Sequence, residues 1–154
     1  MAPTMLSNGT QAPDFALLDD EDRLCKLQDV LKKGPLILYF YPADFTPGCT
    51  REACSIRDLH DDLVATGLTV LGVSPQSTDS HRRFREKFKL PFKLLSDPDK
   101  TAIKAYGSDG PFGISVRRTS YLIGADGRIR AGIVADFGVT EHTKFFQQAI
   151  DLQR

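Results

Sequence analysis

Neither sign of charge is in excess in this chain of 154 residues: 20 Lys plus Arg stand against 20 Asp plus Glu, a formal net charge of zero. Nucleic-acid binders gain affinity by displacing counterions from phosphates with their own cations, so this balance argues against a dedicated nucleic-acid partner. A membrane-length apolar run is also missing, since none approaches the ~20 residues of a spanning helix. The start, Met1 to Gln11, is polar and lacks the basic-then-apolar layout of a secretion signal. These absences lead us to expect a soluble, cytoplasmic protein with no membrane partner. Cysteine is scarce and odd in number: Cys25, Cys49 and Cys54 make no disulfide framework. No Cys-x-x-Cys is present, which excludes the usual dithiol reductase centre. A zinc site would have to combine the three cysteines with His60, His81 or His142, and no pair has the short ligand spacing. P-loop and Rossmann glycine patterns are absent. No histidine neighbours Cys49 in sequence, which leaves a Cys–His hydrolase open but unsupported. In a reducing compartment such thiols are either inert filler or chemistry.

The chain is 41% hydrophobic and 26% charged, a globular composition, and its length suits one domain over residues 1–154. Phe15-Ala-Leu-Leu18 and Leu24-Cys-Lys-Leu27 flank an acidic turn, Asp19 to Asp22, as in a small hairpin. Leu36 to Tyr41 is a continuous apolar, β-prone run, expected to be a strand buried on both faces. Ala53, Ile56, Leu59, Leu63 and Val64 recur at helical spacing, so a helix is predicted from about Pro47 to Gly67. Leu68 to Ser74 and Phe92 to Ser96 read as further strands, with Thr78 to Phe88 a helix between them. Asp97 is the expected N-cap of another helix, with Pro98 at its first position and Tyr106 near its end. Thr119 to Ile123 and Arg128 to Ala135 form a hairpin about Gly124-Ala-Asp-Gly127, and Thr140 to Leu152 a terminal helix. This order predicts an α/β protein: a central mixed sheet flanked by helices, its first strand pair parallel through a right-handed crossover. That is the layout of a thioredoxin-like fold with an N-terminal hairpin extension.

The informative stretch is Tyr39-Phe-Tyr-Pro-Ala-Asp-Phe-Thr-Pro-Gly-Cys-Thr-Arg-Glu-Ala-Cys54. A central strand ends, a short loop follows, and Cys49 falls in the first turn of the next helix. Unpaired N–H groups and the macrodipole there favour negative charge, and the thiolate is a cysteine's reactive form. Thr46, three residues earlier, is placed to reach the sulfur or something bound to it, and Pro42 and Pro47 stiffen the loop. The bland alternative for Cys49 is a buried, inert thiol. Cys54 lies five residues on. On an undistorted helix that is ~7.5 Å of rise and ~140° of net rotation, or about 8.6 Å between Cα atoms. A disulfide needs less than about 7 Å. Either Cys54 is helix filler, or the turn opens during a cycle and the oxidised form loses helix around residues 49 to 54.

Three charged features have ordinary readings. Of Arg117 and Arg118, only one faces a given side of the following strand; Arg117 is read as a solvated charge, while a guanidinium near Cys49 would stabilise a thiolate. His81 to Lys89 is locally basic, but Phe84 and Phe88 make it an amphipathic helix with a solvated face. Asp19 to Asp22 is taken as a solvated turn.

The pattern Pro42-x-x-x-Thr46-x-x-Cys49 resembles the active-site signature of peroxiredoxins. The longer run to Cys54 is similar to their PrxQ, or bacterioferritin comigratory protein, subfamily, as are Ala12-Pro-Asp-Phe15, Leu94-Leu-Ser-Asp97 and Arg118-Thr-Ser-Tyr-Leu-Ile123. The resemblance implies a peroxidatic Cys49 and a resolving Cys54 that pair in an intramolecular disulfide. It implies that Thr46 and Arg118 bind peroxide, that Pro42 shields the sulfur, and that Glu52 has a supporting role or is only a dipole-favoured charge. It implies reduction of hydrogen peroxide and organic hydroperoxides, recycling by thioredoxin or a glutaredoxin-type dithiol, and no metal, haem or flavin cofactor. Because the resolving thiol is in the same chain, a monomer is expected. Ala43, Phe45 and Gly124 depart from the family pattern. Cys25 matches no family position and is expected to pack within the hairpin. Phe112 sits in a Gly-Pro-Phe-Gly loop and is expected to be exposed, which would suit an interface. The competing functions are a thioredoxin-fold disulfide reductase or isomerase, and a non-enzymatic binding or chaperone module.

Overall fold

The computed structural model describes residues 5–113, 115–136 and 138–153. The chain begins with the hairpin β1 (Ala16–Asp19) and β2 (Leu24–Lys26), followed at once by a short helix α1 (Leu27–Leu31). Then come β3 (Leu36–Phe40), α2 (Pro47–Ala65), β4 (Thr69–Ser74), α3 (Thr78–Phe88) and β5 (Lys93–Ser96). The last part is α4 (Thr101–Ala105), β6 (Thr119–Ile123), β7 (Ile129–Val134) and α5 (Val139–Gln153). The strands form a seven-stranded sheet in the order β2-β1-β5-β4-β3-β6-β7. β3, β4 and β5 are parallel neighbours, and β6 is antiparallel to β3 and to β7. The expected mixed sheet is therefore present, and the hairpin is part of it, since β1 pairs with β5 through Leu18 and Asp19.

β3 is buried on both faces, as its unbroken apolar run requires, and its alternation divides the core in two. Ile37, Tyr39 and Tyr41 pack with Cys49, Ala53 and Ile56 of α2, Phe84 of α3, and Phe146 and Ile150 of α5. Leu36, Leu38 and Phe40 point the other way, into a cluster with Leu27 and Leu31 of α1 and Ile103 of α4. Cys49 thus lies in the core layer that lines one face of the sheet. Cys25 is half-buried on β2 opposite Leu17, against the second cluster.

Three local expectations are corrected, and one short helix is added. The helix predicted from Asp97 starts only at Thr101, because Pro98 and Asp99 form a turn and Lys100 is left-handed at φ 58°. Asp97 still caps it from further back, accepting from Thr101 N–H at 3.0 Å and Ile103 N–H at 2.8 Å. Helix α1 has too few residues for periodicity to reveal it. The acidic turn is not simply solvated: Asp19 and Asp20 are buried. Asp19 accepts from the N–H groups of Glu21 and Arg23, and Asp20 from Leu94 N–H. Nor is the basic run only a solvated face, since Arg85 pairs with Asp20 at 3.0 Å and Arg82 with Asp22 at 3.0 Å, and His81 is fully buried. The two charged segments neutralise each other across the fold. Phe112 is 92% exposed, as its loop suggested. Gly124 lies beside the exposed Arg130–Asp126 pair, whose flexible side chains stand where a Cβ would project.

Replacing Asp97 by Ala removes both caps of α4 and is expected to lower stability by about 1–2 kcal/mol. Urea denaturation measures it; an unchanged midpoint would contradict this role for the carboxylate.

Candidate active site

β3 delivers the chain to Tyr41 at the edge of the core, and Pro42 ends the strand because it cannot continue the hydrogen-bonded ladder. The loop then turns through Phe45, a non-glycine residue held in the left-handed region at φ 67°. Such a conformation costs of order 1 kcal/mol and persists only where the surroundings impose it. Thr46 is the extended N-cap of α2, and Pro47 takes the first helical position, where its missing N–H costs nothing. The first intrahelical bond runs from Thr50 N–H to Thr46 O at 2.9 Å. The N–H groups of Gly48 and Cys49 precede it and so have no acceptor within the helix. Cys49 and Cys54 are both free thiols, the first buried and the second half-buried. α2 is continuous through both of them.

Arg118, just before β6, meets this helix start. Its Nη2 donates to Cys49 Sγ at 3.4 Å and its Nη1 to Glu52 Oε1 at 2.7 Å. Its Nε donates to Asp136 O at 3.2 Å, and its backbone N–H to Asp136 Oδ1 at 3.1 Å. The Arg118 side chain is 7% exposed and that of Glu52 1%, so solvent screens this pair little. Gly48 makes the approach possible: a Cβ there would press within 3.1 Å of Nη2. Arg117 instead pairs with Asp136 Oδ2 at 3.3 Å toward the surface, the outward role expected of it.

Behind Glu52 lies a polar group that the sequence did not reveal. His142 Nε2 donates to Ala135 O at 3.2 Å, and Nδ1 lies 2.8 Å from the Ser120 hydroxyl, which it accepts in the neutral ring that burial favours. Burial holds its pKa down at about 4. Its Nδ1 is 3.6 Å from Glu52 Oε2, an oxygen with no hydrogen-bond partner among the described residues. Burial raises the Glu52 carboxyl to about 7, against the opposing pull of Arg118. The site therefore holds one guanidinium shared between a thiol and a carboxyl that titrates near neutrality.

The remaining site residues are placed as follows. Pro42 is half-buried beside the helix start. Thr46 is on the same loop, but its hydroxyl donates to Ala43 O at 2.9 Å. Cys54 is about 1.4 turns from Cys49 along α2. Phe45 rests its ring on Phe84 at 5.2 Å. Among the described residues, no group of three or more His, Cys, Asp or Glu side chains is arranged to hold a metal ion.

The sheet topology and a free thiol at a helix start beside a buried guanidinium fit the class of thiol-dependent peroxidases with a thioredoxin-like fold. The comparisons give the family: residues 8–132 match the AhpC/TSA family, and the chain belongs to it, among its Bcp and PrxQ peroxiredoxins. The peroxiredoxin Bcp of Bacillus subtilis is 39% identical over 127 residues, covering 79% of this chain and 80% of that protein. The crystal structure of peroxidoxin BcpB from Mycobacterium tuberculosis superposes with a TM-score of 0.90 at 30% identity, over 98% of this chain and 99% of its own. A structure of the Xanthomonas campestris bacterioferritin comigratory protein, described in terms of its alkyl peroxide reduction activity, gives a TM-score of 0.84 at 25% identity, over 96% of each chain. No helix among the described residues is long and apolar enough to cross a membrane.

The raised Glu52 pKa fixes a pH dependence. The folded chain holds this proton more tightly than the unfolded chain, whose carboxyl titrates near 4.5. That contribution to stability is complete below about pH 4.5 and is lost as pH rises through about 7. Glu52→Gln cannot ionise, so its stability relative to the parent should rise between these values by up to about 3 kcal/mol. Urea denaturation across the pH range measures it, and a difference independent of pH would contradict a buried, titrating Glu52.

Proposed function

We propose that Cys49 is the peroxidatic thiol and Cys54 the resolving thiol of a peroxidase acting on hydrogen peroxide and organic hydroperoxides. The carrying observation is the Arg118 fork, with one nitrogen on Cys49 Sγ and the other on Glu52. The Cys49 thiolate attacks one peroxide oxygen, the O–O bond breaks, and its electron pair leaves on the distal oxygen. Sulfur is oxidised to sulfenic acid, and the distal oxygen departs as water or an alcohol once protonated. Arg118 and the unpaired N–H groups at the start of α2 stabilise the charge that grows on the oxygens. Thr46 turns its hydroxyl from Ala43 O to the peroxide, and Pro42 keeps water from the sulfur.

Cys54 then attacks the sulfenic sulfur, forming a disulfide and releasing water. Continuous helix holds the two Cα atoms about 8.6 Å apart, beyond disulfide reach, so the first turns of α2 must open for this step. An external dithiol, thioredoxin or a glutaredoxin-type protein, returns both thiols by exchange. Residues 1–154 act as one domain and as a monomer, since both redox groups lie in one chain, and the cytoplasm is the compartment that keeps the reductant supplied. Sulfur carries the electrons, so the cycle uses no cofactor.

Cys49→Ser should abolish peroxide consumption in a coupled reductant assay, and retained activity would refute the assignment. For Cys54, one equivalent of hydrogen peroxide followed by non-reducing peptide mapping should show a 49–54 bond, with faster amide exchange over residues 49 to 54. A sulfenic acid persisting beside a free Cys54 thiol would remove its resolving role.

A further inference from the structure

The active-site loop is held from a second side by groups that the peroxide chemistry does not use. Asp44 and His81 are 0% exposed at their side chains, and His81 Nδ1 lies 2.7 Å from Asp44 Oδ2. His81 Nε2 faces Leu95 O at 2.9 Å, where it must donate, so it carries a proton. A second proton lies between Nδ1 and Oδ2. The Asp44 carboxylate also accepts the Tyr41 hydroxyl at 2.6 Å and the Ser80 hydroxyl at 2.7 Å. Those donors stabilise its negative charge and place the second proton on the ring. The result is a buried imidazolium–carboxylate pair that joins the loop to α3, with the ring's far side fixed on β5.

Burying an ion pair costs desolvation that its attraction does not always recover, so its position needs a reason. Asp44 stands midway between Pro42 and Thr46. The next residue, Phe45, has the left-handed backbone and lays its ring on Phe84 at 5.2 Å and Phe88 at 6.4 Å, both on α3. Two adjacent loop residues are therefore fastened to one helix, the first by charge and the second by apolar contact. They lie immediately before the N-cap of the helix that carries both site cysteines. Breaking either fastening frees Phe45 to relax and releases Thr46 and the first turn of α2 with it.

We propose that the Asp44–His81 pair is a latch that sets the partition between peroxide attack at Cys49 and opening of α2 toward Cys54. The proposal rests on the reading of those two thiols given above. Attack needs Thr46 and the α2 N-terminus in fixed places, whereas disulfide formation needs the same segment released. Asp44 and His81 act through that segment and are positioning residues.

The test compares the full-length parent with Asp44→Ala and Asp44→Asn in single turnovers, quenched with acid and read by mass spectrometry. Two steps are followed: loss of the Cys49 thiol on adding hydrogen peroxide, and conversion of its sulfenic acid to the 49–54 disulfide. Asn has nearly the shape of Asp, and its amide N–H can donate to a neutral His81 Nδ1, so it keeps an uncharged latch. Asp44→Ala should slow attack by about 100-fold, as a displaced catalytic constellation does. It should also speed disulfide formation and lower the yield of sulfinic acid at excess peroxide, while Asp44→Asn restores most of both rates. Ser80→Ala removes one donor to the carboxylate and gives the same pattern in weaker form, should Asp44→Ala not fold. Two steps slowed in parallel, an unchanged partition, or an Asn variant no better than Ala would each overturn the latch. A parent chain that forms no 49–54 bond removes the reading of the thiols, and the latch with it. A parent that forms the bond beside variants of unchanged partition removes the latch alone.

Discussion

The contact on which the site depends is the buried guanidinium of Arg118. It touches Cys49, Glu52 and the Asp136 carbonyl at once, so it ties the start of β6 and the chain after β7 to the first turn of α2. A guanidinium suits this position because its donors diverge in a plane and its charge survives burial, where an ammonium would lose its proton more readily. Its cost is the removal of a cation from water, and the Glu52 carboxyl and the Asp136 carbonyl offset part of it. Gly48 and the antiparallel pairing of β6 with β3 then follow as geometric requirements. The first lets the fork approach, and the second brings residue 118 beside the end of β3.

Much of this was legible in the sequence, for identifiable reasons. β3, β4, α2, α3 and the two hairpins are marked by apolar runs, helical spacing and turn residues, and the signals agree with the fold. Cys49 stands out because a scarce residue type sits at a helix start, while Cys54, inside the helix, and Arg118 stand out through the resemblance to the peroxiredoxin signature. Phe45 is a departure from the family pattern that the structure explains by its packing on α3. What was not legible depends on distance in space. His142, itself held by Ser120, meets Glu52 from an element far along the chain, and no spacing encodes that. His81 was hidden by its neighbours, since a histidine followed by two arginines reads as solvated until the helix shows which face it occupies. The acidic turn was misread for the same reason: its partners are the arginines of α3, some 60 residues further on. The Asp97 helix failed at its start because a Pro-Asp turn and a left-handed Lys100 intervene between cap and helix.

In the cycle proposed above, the loop and helix start must satisfy two opposed demands. Peroxide attack calls for a rigid constellation, and the joining of two sulfurs on one helix calls for that constellation to come apart. The structure distributes its bonds accordingly. The far end of α2 is packed into the core through Ile56 and Leu63, while its first turn is held by a strained loop, a guanidinium and polar contacts. Opening the first turns exposes Cys49 and Ala53 but leaves Ile56 and Leu63 packed, which keeps local opening separate from global unfolding.

The central claim is that the Arg118 fork, and not merely its charge, organises the reacting atoms. Arg118→Lys keeps the charge and removes the fork, so stopped-flow measurement of the bimolecular reaction with hydrogen peroxide addresses it directly. The account predicts a rate constant lower by about 100-fold or more, the scale of losing one directed donor at a developing oxyanion. A lysine variant that reacts within a few-fold of the parent would contradict it.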